Sequence, residues 1–309
     1  MNNSIIIYLK KLFVLILIIV FIDVVLGKTL EHFYFKMKSG QSSRITYAMT
    51  QSQEDVVVFG SSRANHHYVT TLLEDSLHTT AYNAGIDGQG ILFQYSLLKA
   101  MQSRYQPKVI ILDLNPDGLE EASIYYDRLY VLLPYYKRYK EIQPIVNVRS
   151  PYEHLKAMST LYRYNYFILP ILYNNILNKS SKEDIKGYEP LYKNIDLTTV
   201  KKAQKKVLPL DSIKVANFRS FIKEANRNNC KVMVYISPIF KTYGVSPTIA
   251  MAKKICSDEG VFFKDYSSHP FFKESTQYFH DFNHLNNSGA EAYSRIISGE
   301  IKILVSSKL

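Results

Sequence analysis

Apolar residues form one long run near the start of the chain and short, separate runs afterwards. The long run covers residues 12–22 and continues through residues 24–26, with Asp23 as its interruption. Counting back through residues 5–9 gives the ~20 residues that a bilayer-spanning helix needs. The pattern therefore predicts an N-terminal transmembrane helix.

Basic residues set the expected orientation of this helix. Lys10 and Lys11 lie on its N-terminal side, which favours a cytoplasmic N-terminus and an exported remainder. Cleavage after Gly27, preceded by the small Val25, is the alternative; the long apolar core favours a retained anchor. Asp23 either reaches headgroup water or contacts a partner membrane protein.

The short apolar runs alternate with helical patterns. Runs rich in β-branched residues predict strands at residues 56–59, 80–83, 108–114, 231–236 and 261–264. Helical spacing predicts helices at residues 91–105, 215–228, 247–259 and 287–304, and another from the GSSR turn toward Leu77. This alternation indicates an α/β fold with a parallel sheet covered on both faces, in which ligands bind at the carboxyl ends of the strands.

Residues from about 120 to 206 break the alternation. The segment holds about half of the 25 tyrosines and looks mainly helical, so we interpret it as an insertion. Its rings either stack on sugars or pack the insertion onto the rest of the chain. The predicted organisation is a cytoplasmic tail and transmembrane signal-anchor at 1–28, a stalk at 29–53 and a folded domain at 54–309.

The net charge and the two cysteines bear on which partners and which cysteine pairing are expected. The net charge is +11, but the chain has no zinc-finger spacing or RNP signature, so nucleic acid is not expected as a partner. The lysines Lys201, Lys202, Lys205 and Lys206 form a solvated helix face or attract an anionic envelope polymer. Cys230 and Cys256 form a disulfide in an oxidising compartment or stay as buried thiols; both alternatives remain open.

Two short motifs carry candidate chemistry. Gly60-Ser61-Ser62-Arg63 follows the first predicted strand directly, and a strand-to-helix turn there presents a serine hydroxyl above the sheet. Alone, either serine can equally be an N-cap. The second motif, Asp281-Phe282-Asn283-His284, precedes the last helix; its histidine can serve as general base and its carboxylate can orient the ring.

Together the two motifs resemble the SGNH (GDSL-like) hydrolases. The resemblance implies a flavodoxin-like three-layer fold and a triad of Ser62, Asp281 and His284. Ser61 stands where the family has Asp, a G-S-S variant similar to membrane-anchored members such as the D-alanyl transfer proteins of teichoic acid synthesis. The D-x-x-H-L-N-x-x-G-A run is similar to that of those members and of polysaccharide O-acetylation proteins.

The same resemblance implies an oxyanion hole. Its donors would be the Ser62 N–H, the Gly88 N–H and the Asn115 side chain, with Gly85 as the alternative to Gly88. The third family block departs from the pattern, because Pro116 occupies the place of the family Asn in the simplest alignment. Losing one such donor costs roughly 3 kcal/mol of transition-state stabilisation.

For the other polar residues near these motifs, an ordinary structural role is at least as well supported as a functional one. His66 and His67, combined with Asp281 and His284, match no metal-ligand spacing, so we expect no metal and no cofactor. Arg63 either orients an anionic substrate group or forms a salt bridge at the helix start.

The sequence thus predicts an extracytoplasmic serine esterase or O-acyltransferase, anchored by a single membrane pass in the periplasm or at the cell surface. It would hydrolyse or transfer an acetyl or similar small acyl group of a cell-envelope glycan. The expected partners are an ester-bearing glycan or acyl donor, the membrane itself and a membrane acyltransferase. The alternative is a non-catalytic binding or assembly protein of the same fold in envelope polysaccharide modification.

Overall fold

A computed structural model describes residues 3–176, 186–198, 207–227, 229–240 and 246–306. Contacts within the chain divide it into two compact units. The anchor unit comprises Met1–Ser43 and Leu129–Ser181, and the sheet unit comprises Arg44–Arg128 and Lys182–Leu309. The predicted lysine face at Lys201, Lys202, Lys205 and Lys206 lies outside the described residues, as does Asn228.

Five parallel strands form the centre of the sheet unit. They are β1 (Val56–Gly60), β2 (Ala81–Asn83), β3 (Val109–Asp113), β4 (Lys231–Ile236) and β5 (Phe262–Asp265). Their order is β2-β1-β3-β4-β5, with Val56 paired to both Ala81 and Val109. The predicted α/β fold with a parallel sheet is confirmed, and the strand bounds differ from the prediction by at most one residue.

Helices occupy most of the remaining described residues. They are α1 (Asn3–Tyr34), α2 (Gly40–Thr50), α3 (Ser62–His67), α4 (Thr70–Leu77), α5 (Ile91–Gln102), α6 (Ile124–Asp127), α7 (Gln143–Val146), α8 (Glu153–Lys156), α9 (Thr160–Tyr164), α10 (Ile168–Ile176), α11 (Ser212–Ala225), α12 (Pro247–Asp258) and α13 (Asn287–Ser306). Short 3₁₀ segments lie at Arg128–Tyr135, Lys140–Ile142, Asn147–Arg149, Asn165–Phe167 and Thr276–Tyr278.

Side chains on both faces of the sheet are buried. On one face, Val109 and Ile111 belong to a buried cluster that includes Tyr68 and Tyr293 from the α3–α4 connection and α13. On the other face, Phe59 meets Phe221 of α11 with ring centroids 5.4 Å apart. Strands covered on both sides leave no polar alternation in the sequence, which explains their continuous apolar runs.

The helix predicted from the GSSR turn to Leu77 is divided into α3 and α4. At the break, the Asn83 amide donates to Ala64 O at 2.7 Å and to Tyr68 O at 3.0 Å. Val69 N donates to the Ser294 hydroxyl at 2.8 Å. These tertiary partners satisfy backbone groups that a continuous helix would pair internally.

Helix α1 is long and apolar enough to cross a membrane. It continues to Tyr34, and α2 follows at Gly40–Thr50. The end of α1 and the whole of α2 therefore lie within residues 29–53, the predicted stalk. Arg44, Ile45 and Met49 of α2 are buried.

Aromatic packing holds the anchor unit together. Tyr34 is buried, with ring centroids 5.7 Å from Tyr164 and 4.9 Å from Phe167. Tyr130 stacks on Tyr166 at 4.6 Å. The packing interpretation therefore accounts for the buried tyrosines of this unit, whereas others such as Tyr152 are exposed.

Asp23 has its partners within the anchor unit. Its carboxylate accepts hydrogen bonds from Thr160 N at 2.9 Å, Leu161 N at 3.2 Å and the Ser159 hydroxyl. Gly27, one turn later, makes room, because a Cβ there would lie 2.6 Å from Leu161 N. Asp23 thus occupies the N-terminal end of α9, where backbone N–H groups lack helical partners.

Both cysteines are buried free thiols. Burial raises the pKa of Cys230 to about 11 and that of Cys256 to about 12. Of the two alternatives left open by the sequence, the structure has the unpaired one.

Asn83→Ala should lower the free energy of unfolding by ~2–4 kcal/mol, because it leaves Ala64 O, Tyr68 O and Gly85 N without their buried partner. Urea denaturation of the detergent-solubilised full chain measures the change. Asn217→Ala is the matched control, since the partly exposed Asn217 amide donates to Ile213 O one turn earlier; its effect should stay below ~1 kcal/mol. Equal losses would contradict the account of Asn83.

Candidate active site

The first element of the site is the turn from β1 into α3. Gly60 has φ +150°, and a Cβ there would lie 2.6 Å from Ala64 Cβ and 2.7 Å from Asp113 O, so the turn requires glycine. Ser62 then begins α3. Ser61 precedes the helix, but its hydroxyl donates to Asn115 Oδ1 at 2.8 Å and caps no helical N–H.

The structure brings Ser62, His284 and Asp281 together. Ser62 Oγ lies 2.8 Å from His284 Nε2, and His284 Nδ1 lies 2.8 Å from Asp281 Oδ2. Since a carboxylate only accepts, the ring proton belongs on Nδ1, which leaves Nε2 to accept the serine proton. Both Ser62 and His284 are partly exposed, so a substrate can reach the pair.

The Asp281–His284 loop is held by its own backbone. Asp281 Oδ1 accepts from Asn283 N at 2.8 Å and from His284 N at 2.9 Å. Partial burial raises the pKa of Asp281, but the hydrogen bond and charge of His284 outweigh it, and the net pKa is lowered. Asp281 therefore stays ionised at neutral pH and can orient the imidazole.

A second histidine, His67, fixes the position of this loop. Its Nε2 accepts from Leu285 N at 2.9 Å, and its Nδ1 lies 2.8 Å from Ser237 Oγ. Burial, followed by the charge of Arg63, holds the pKa of His67 well below its ordinary value. The sequence pointed only to a surface or core histidine here, and no local motif signals the contact with Leu285.

Arg63 is a buried structural residue. Its Nη2 donates to Ser237 Oγ at 2.8 Å, and its Nε lies 3.9 Å from Asp113 Oδ1. Burial raises the pKa of Asp113. Of the two interpretations of Arg63, the salt bridge at the helix start matches these contacts.

The predicted oxyanion donors differ in availability. Gly85 N already donates to Asn83 Oδ1 at 3.0 Å, which removes the alternative to Gly88. Gly88 has φ +72°, and its carbonyl accepts from Arg128 at 2.9 Å. Ser62 N opens α3 and so has no helical acceptor. The bond from Ser61 fixes the carbonyl end of the Asn115 amide. Its NH₂ end is the donor end and already hydrogen-bonds Tyr125, so one of its two N–H groups is engaged.

His66 belongs to a separate charged cluster. It lies with Asp87 and Glu189 so that one ligand atom of each falls within 4.8 Å of the others. Arg44 donates to Glu189 Oε1 at 3.0 Å, and Asn65 donates to Asp87 Oδ1 at 2.8 Å. Burial raises the pKa of Asp87, but His66 outweighs it and the pKa falls to about 2. The Arg44 guanidinium already balances charge here and repels a cation.

A small cavity opens beside the β1–α3 turn. It encloses about 300 Å³ including its open mouth. Its lining includes Ser61, Ile91, Gln94, Asn115 and Tyr125. Because that figure includes open solvent, the enclosed space is well below that of a typical ligand pocket.

The comparisons with known proteins add little to this geometry. The chain matches no family model and no curated protein. A solved structure described as that of "a putative platelet activating factor from Streptococcus pneumonia" is similar at 11% identity and TM-score 0.40, over 97% of this chain and 100% of that chain. A likeness this distant says nothing about the activity of this chain.

His67 should remain neutral at pH values at which a free imidazole is already protonated, with its proton on Nδ1, because burial lowers its pKa and protonation would remove the acceptor for Leu285 N–H. In the unfolded chain the imidazole binds a proton near pH ~6.5, so this residue makes the fold less stable as the pH falls below that value. Side-chain ¹⁵N spectra, assigned with His67→Gln, measure the protonation state. Titration of the His67 signal near its ordinary pKa in the folded chain would contradict this role.

Proposed function

We propose that this protein is a membrane-anchored, extracytoplasmic serine esterase or O-acyltransferase of the SGNH type. The observation that carries the proposal is the continuous hydrogen-bonded series Ser62–His284–Asp281, with contacts of 2.8 Å at both steps. A nucleophile, a base and a group that orients the base are the elements of acyl transfer by a serine.

In the first half-reaction, Ser62 Oγ attacks the ester carbonyl carbon while His284 Nε2 takes the hydroxyl proton. The carbonyl oxygen becomes an oxyanion, and the N–H groups of Ser62 and Gly88, with the Asn115 amide, are the proposed donors. The C–O bond of the ester then breaks, and His284 returns the proton to the leaving alcohol. The product is an acyl-Ser62 ester.

In the second half-reaction, water or a sugar hydroxyl attacks the acyl-enzyme. His284 accepts its proton, Ser62 leaves, and the proton returns to Ser62 Oγ. Water as acceptor makes the protein an esterase, and a hydroxyl makes it a transferase. Asp281 stays ionised throughout and stabilises the imidazolium that forms in each half.

The size of the cavity beside Ser61 favours a substrate with a short acyl group. It adjoins the residue before the nucleophile, and its volume of about 300 Å³ includes open solvent, which leaves little room for a long chain. We propose an acetyl or similarly small acyl group as the occupant, with a cell-envelope glycan as substrate or acceptor. The apolar helix α1 and the net charge of +11 are compatible with work at a membrane next to anionic polymers.

Ser62→Ala should reduce p-nitrophenyl acetate turnover by at least about a thousandfold, because the attacking oxygen is lost. The full chain in detergent or lipid is the material to assay. Mass spectrometry after treatment with a serine-reactive phosphonate should place one adduct on Ser62, and the variant should carry none.

Two other serine variants serve as controls for this test. Ser61→Ala should keep the adduct, since only the bond to Asn115 is lost. Ser257→Ala, on the exposed face of α12, should keep full turnover. Labelling without turnover would indicate a transferase that needs its own donor or partner. Neither labelling nor turnover in the folded wild type would refute the proposal and favour the non-catalytic binding or assembly protein.

Ile91→Ala should shift acyl preference toward longer chains. Ile91 is buried and lines the cavity, so shortening it makes room for extra methylenes, each worth ~1–3 kcal/mol in a fitted pocket. The ratio of p-nitrophenyl butyrate to acetate turnover should rise by about tenfold or more. Ile222→Ala is the control, a buried core residue absent from the cavity lining; it should leave the ratio unchanged. An equal rise of the butyrate-to-acetate ratio in both variants would contradict the proposal that the acyl group binds in this cavity.

A further inference from the structure

The anchor unit carries exposed apolar side chains at a defined place along α1. Residues 150–158, which we call the interfacial loop, contain Tyr152, Leu155 and Met158, with exposed fractions of 65%, 54% and 69%. Large apolar side chains clustered in this way mark an interaction surface. What they contact depends on where the loop lies relative to the apolar helix.

The position of the loop along α1 follows from Asp23. Met158 directly precedes Ser159, whose hydroxyl donates to Asp23, and Thr160 N donates to Asp23 at 2.9 Å. Leu155 is held close by, since its carbonyl accepts from Met158 N at 3.1 Å. The loop therefore lies beside α1 at the level of Asp23.

Asp23 lies at one end of the apolar part of the helix. Residues 5–26 rise by ~33 Å at 1.5 Å per residue, close to the ~30 Å of hydrocarbon in a bilayer. Asp23 is then within about one turn of the boundary between hydrocarbon and headgroups. Its charge is compensated there by the N–H groups of α9.

We propose that the interfacial loop inserts Tyr152, Leu155 and Met158 into the membrane interface beside α1, so that the lipid bilayer is the partner of this surface. The inference rests on the proposed membrane-spanning role of α1 and does not depend on the catalytic proposal.

The charges of the loop fit this location. Its acidic residue, Glu153, is buried and accepts hydrogen bonds from Arg149 and from the Tyr162 hydroxyl. The exposed charge is Lys156, with 45% of its side chain accessible. Its ammonium lies 3.8 Å from Glu153 Oε2 and donates to Ser150 Oγ at 3.2 Å. From this depth the ammonium can also turn to the phosphates while its methylenes stay among apolar groups.

Another exposed apolar residue of the anchor unit serves as a control for the residues of the interfacial loop. Leu169 of α10 is 78% exposed, but Phe167, two residues earlier, packs on Tyr34 at 4.9 Å. Tyr34 is eleven residues beyond Asp23, or ~16 Å farther along the helix. Leu169 should therefore lie outside the hydrocarbon, even though it is as apolar as Leu155.

The test uses single-tryptophan reporters, because the chain contains no tryptophan. Met158→Trp, Leu155→Trp, Leu169→Trp and Val14→Trp are each made in the full chain and reconstituted in phosphatidylcholine–phosphatidylglycerol nanodiscs. Emission maxima and quenching by brominated lipids report the surroundings of each ring, with bromine high in the acyl chain for the loop and α10 positions and near the chain end for Val14→Trp. Val14, in the middle of the apolar run, tests whether α1 spans the bilayer.

We expect blue-shifted emission for Met158→Trp and Leu155→Trp, with quenching at least about twofold stronger than for Leu169→Trp, as for side chains buried ~5–10 Å into the interface. Water-like emission, or quenching no stronger than that of Leu169→Trp, would overturn the proposal. Blue-shifted emission without bromine quenching would also overturn it, since protein would then cover the loop. If Val14→Trp is not quenched, α1 does not span and the anchor itself is refuted; Ser62 labelling tests the catalytic proposal independently.

Discussion

The candidate site depends on a buried hydrogen bond between the beginning and the end of the sheet unit. His67, on the helix that Ser62 begins, accepts the backbone N–H of Leu285, the residue after His284. Ser237 holds the other nitrogen of the His67 ring and so fixes its direction. Ser62 and His284 are far apart in the chain and meet through one contact of 2.8 Å. The His67–Leu285 bond places their two backbones so that this contact can form.

The sheet and the three central site residues could be predicted because each leaves a local trace. Strands buried on both faces appear as unbroken apolar runs, and the run at residues 231–236 coincides with β4. Gly60, two residues before Ser62, marks a turn that only glycine can adopt. Asp281 and His284 come from one short loop, so their mutual contact is also local. Strand order and register place the two motifs at the same edge of the sheet.

The remaining features depend on which buried polar groups form hydrogen bonds with partners distant in sequence. The pattern of apolar and polar residues does not specify those partners. Ser61 had the residue type of an N-cap, yet its hydroxyl bonds Asn115. The pattern after Ser62 was helical, yet the Asn83 amide interrupts it. Asp23 interrupted an apolar run without any sign in the sequence that α9 lies beside it. In each case a partner distant in sequence satisfies a polar group, as burial requires.

The neutrality of His67 also bears on the proposed chemistry. Its ring centroid lies 6.3 Å from that of His284, so a second positive charge on His67 would oppose the imidazolium by about 2–3 kcal/mol at an effective dielectric near 20. Protonation would also remove the acceptor that holds Leu285. Burial keeps the pKa of His67 low, whereas Asp281 lies 2.8 Å from His284 Nδ1 and orients that ring. The two neighbouring histidines therefore have opposite tasks: one must stay neutral to hold the loop, so that the other can take up a proton.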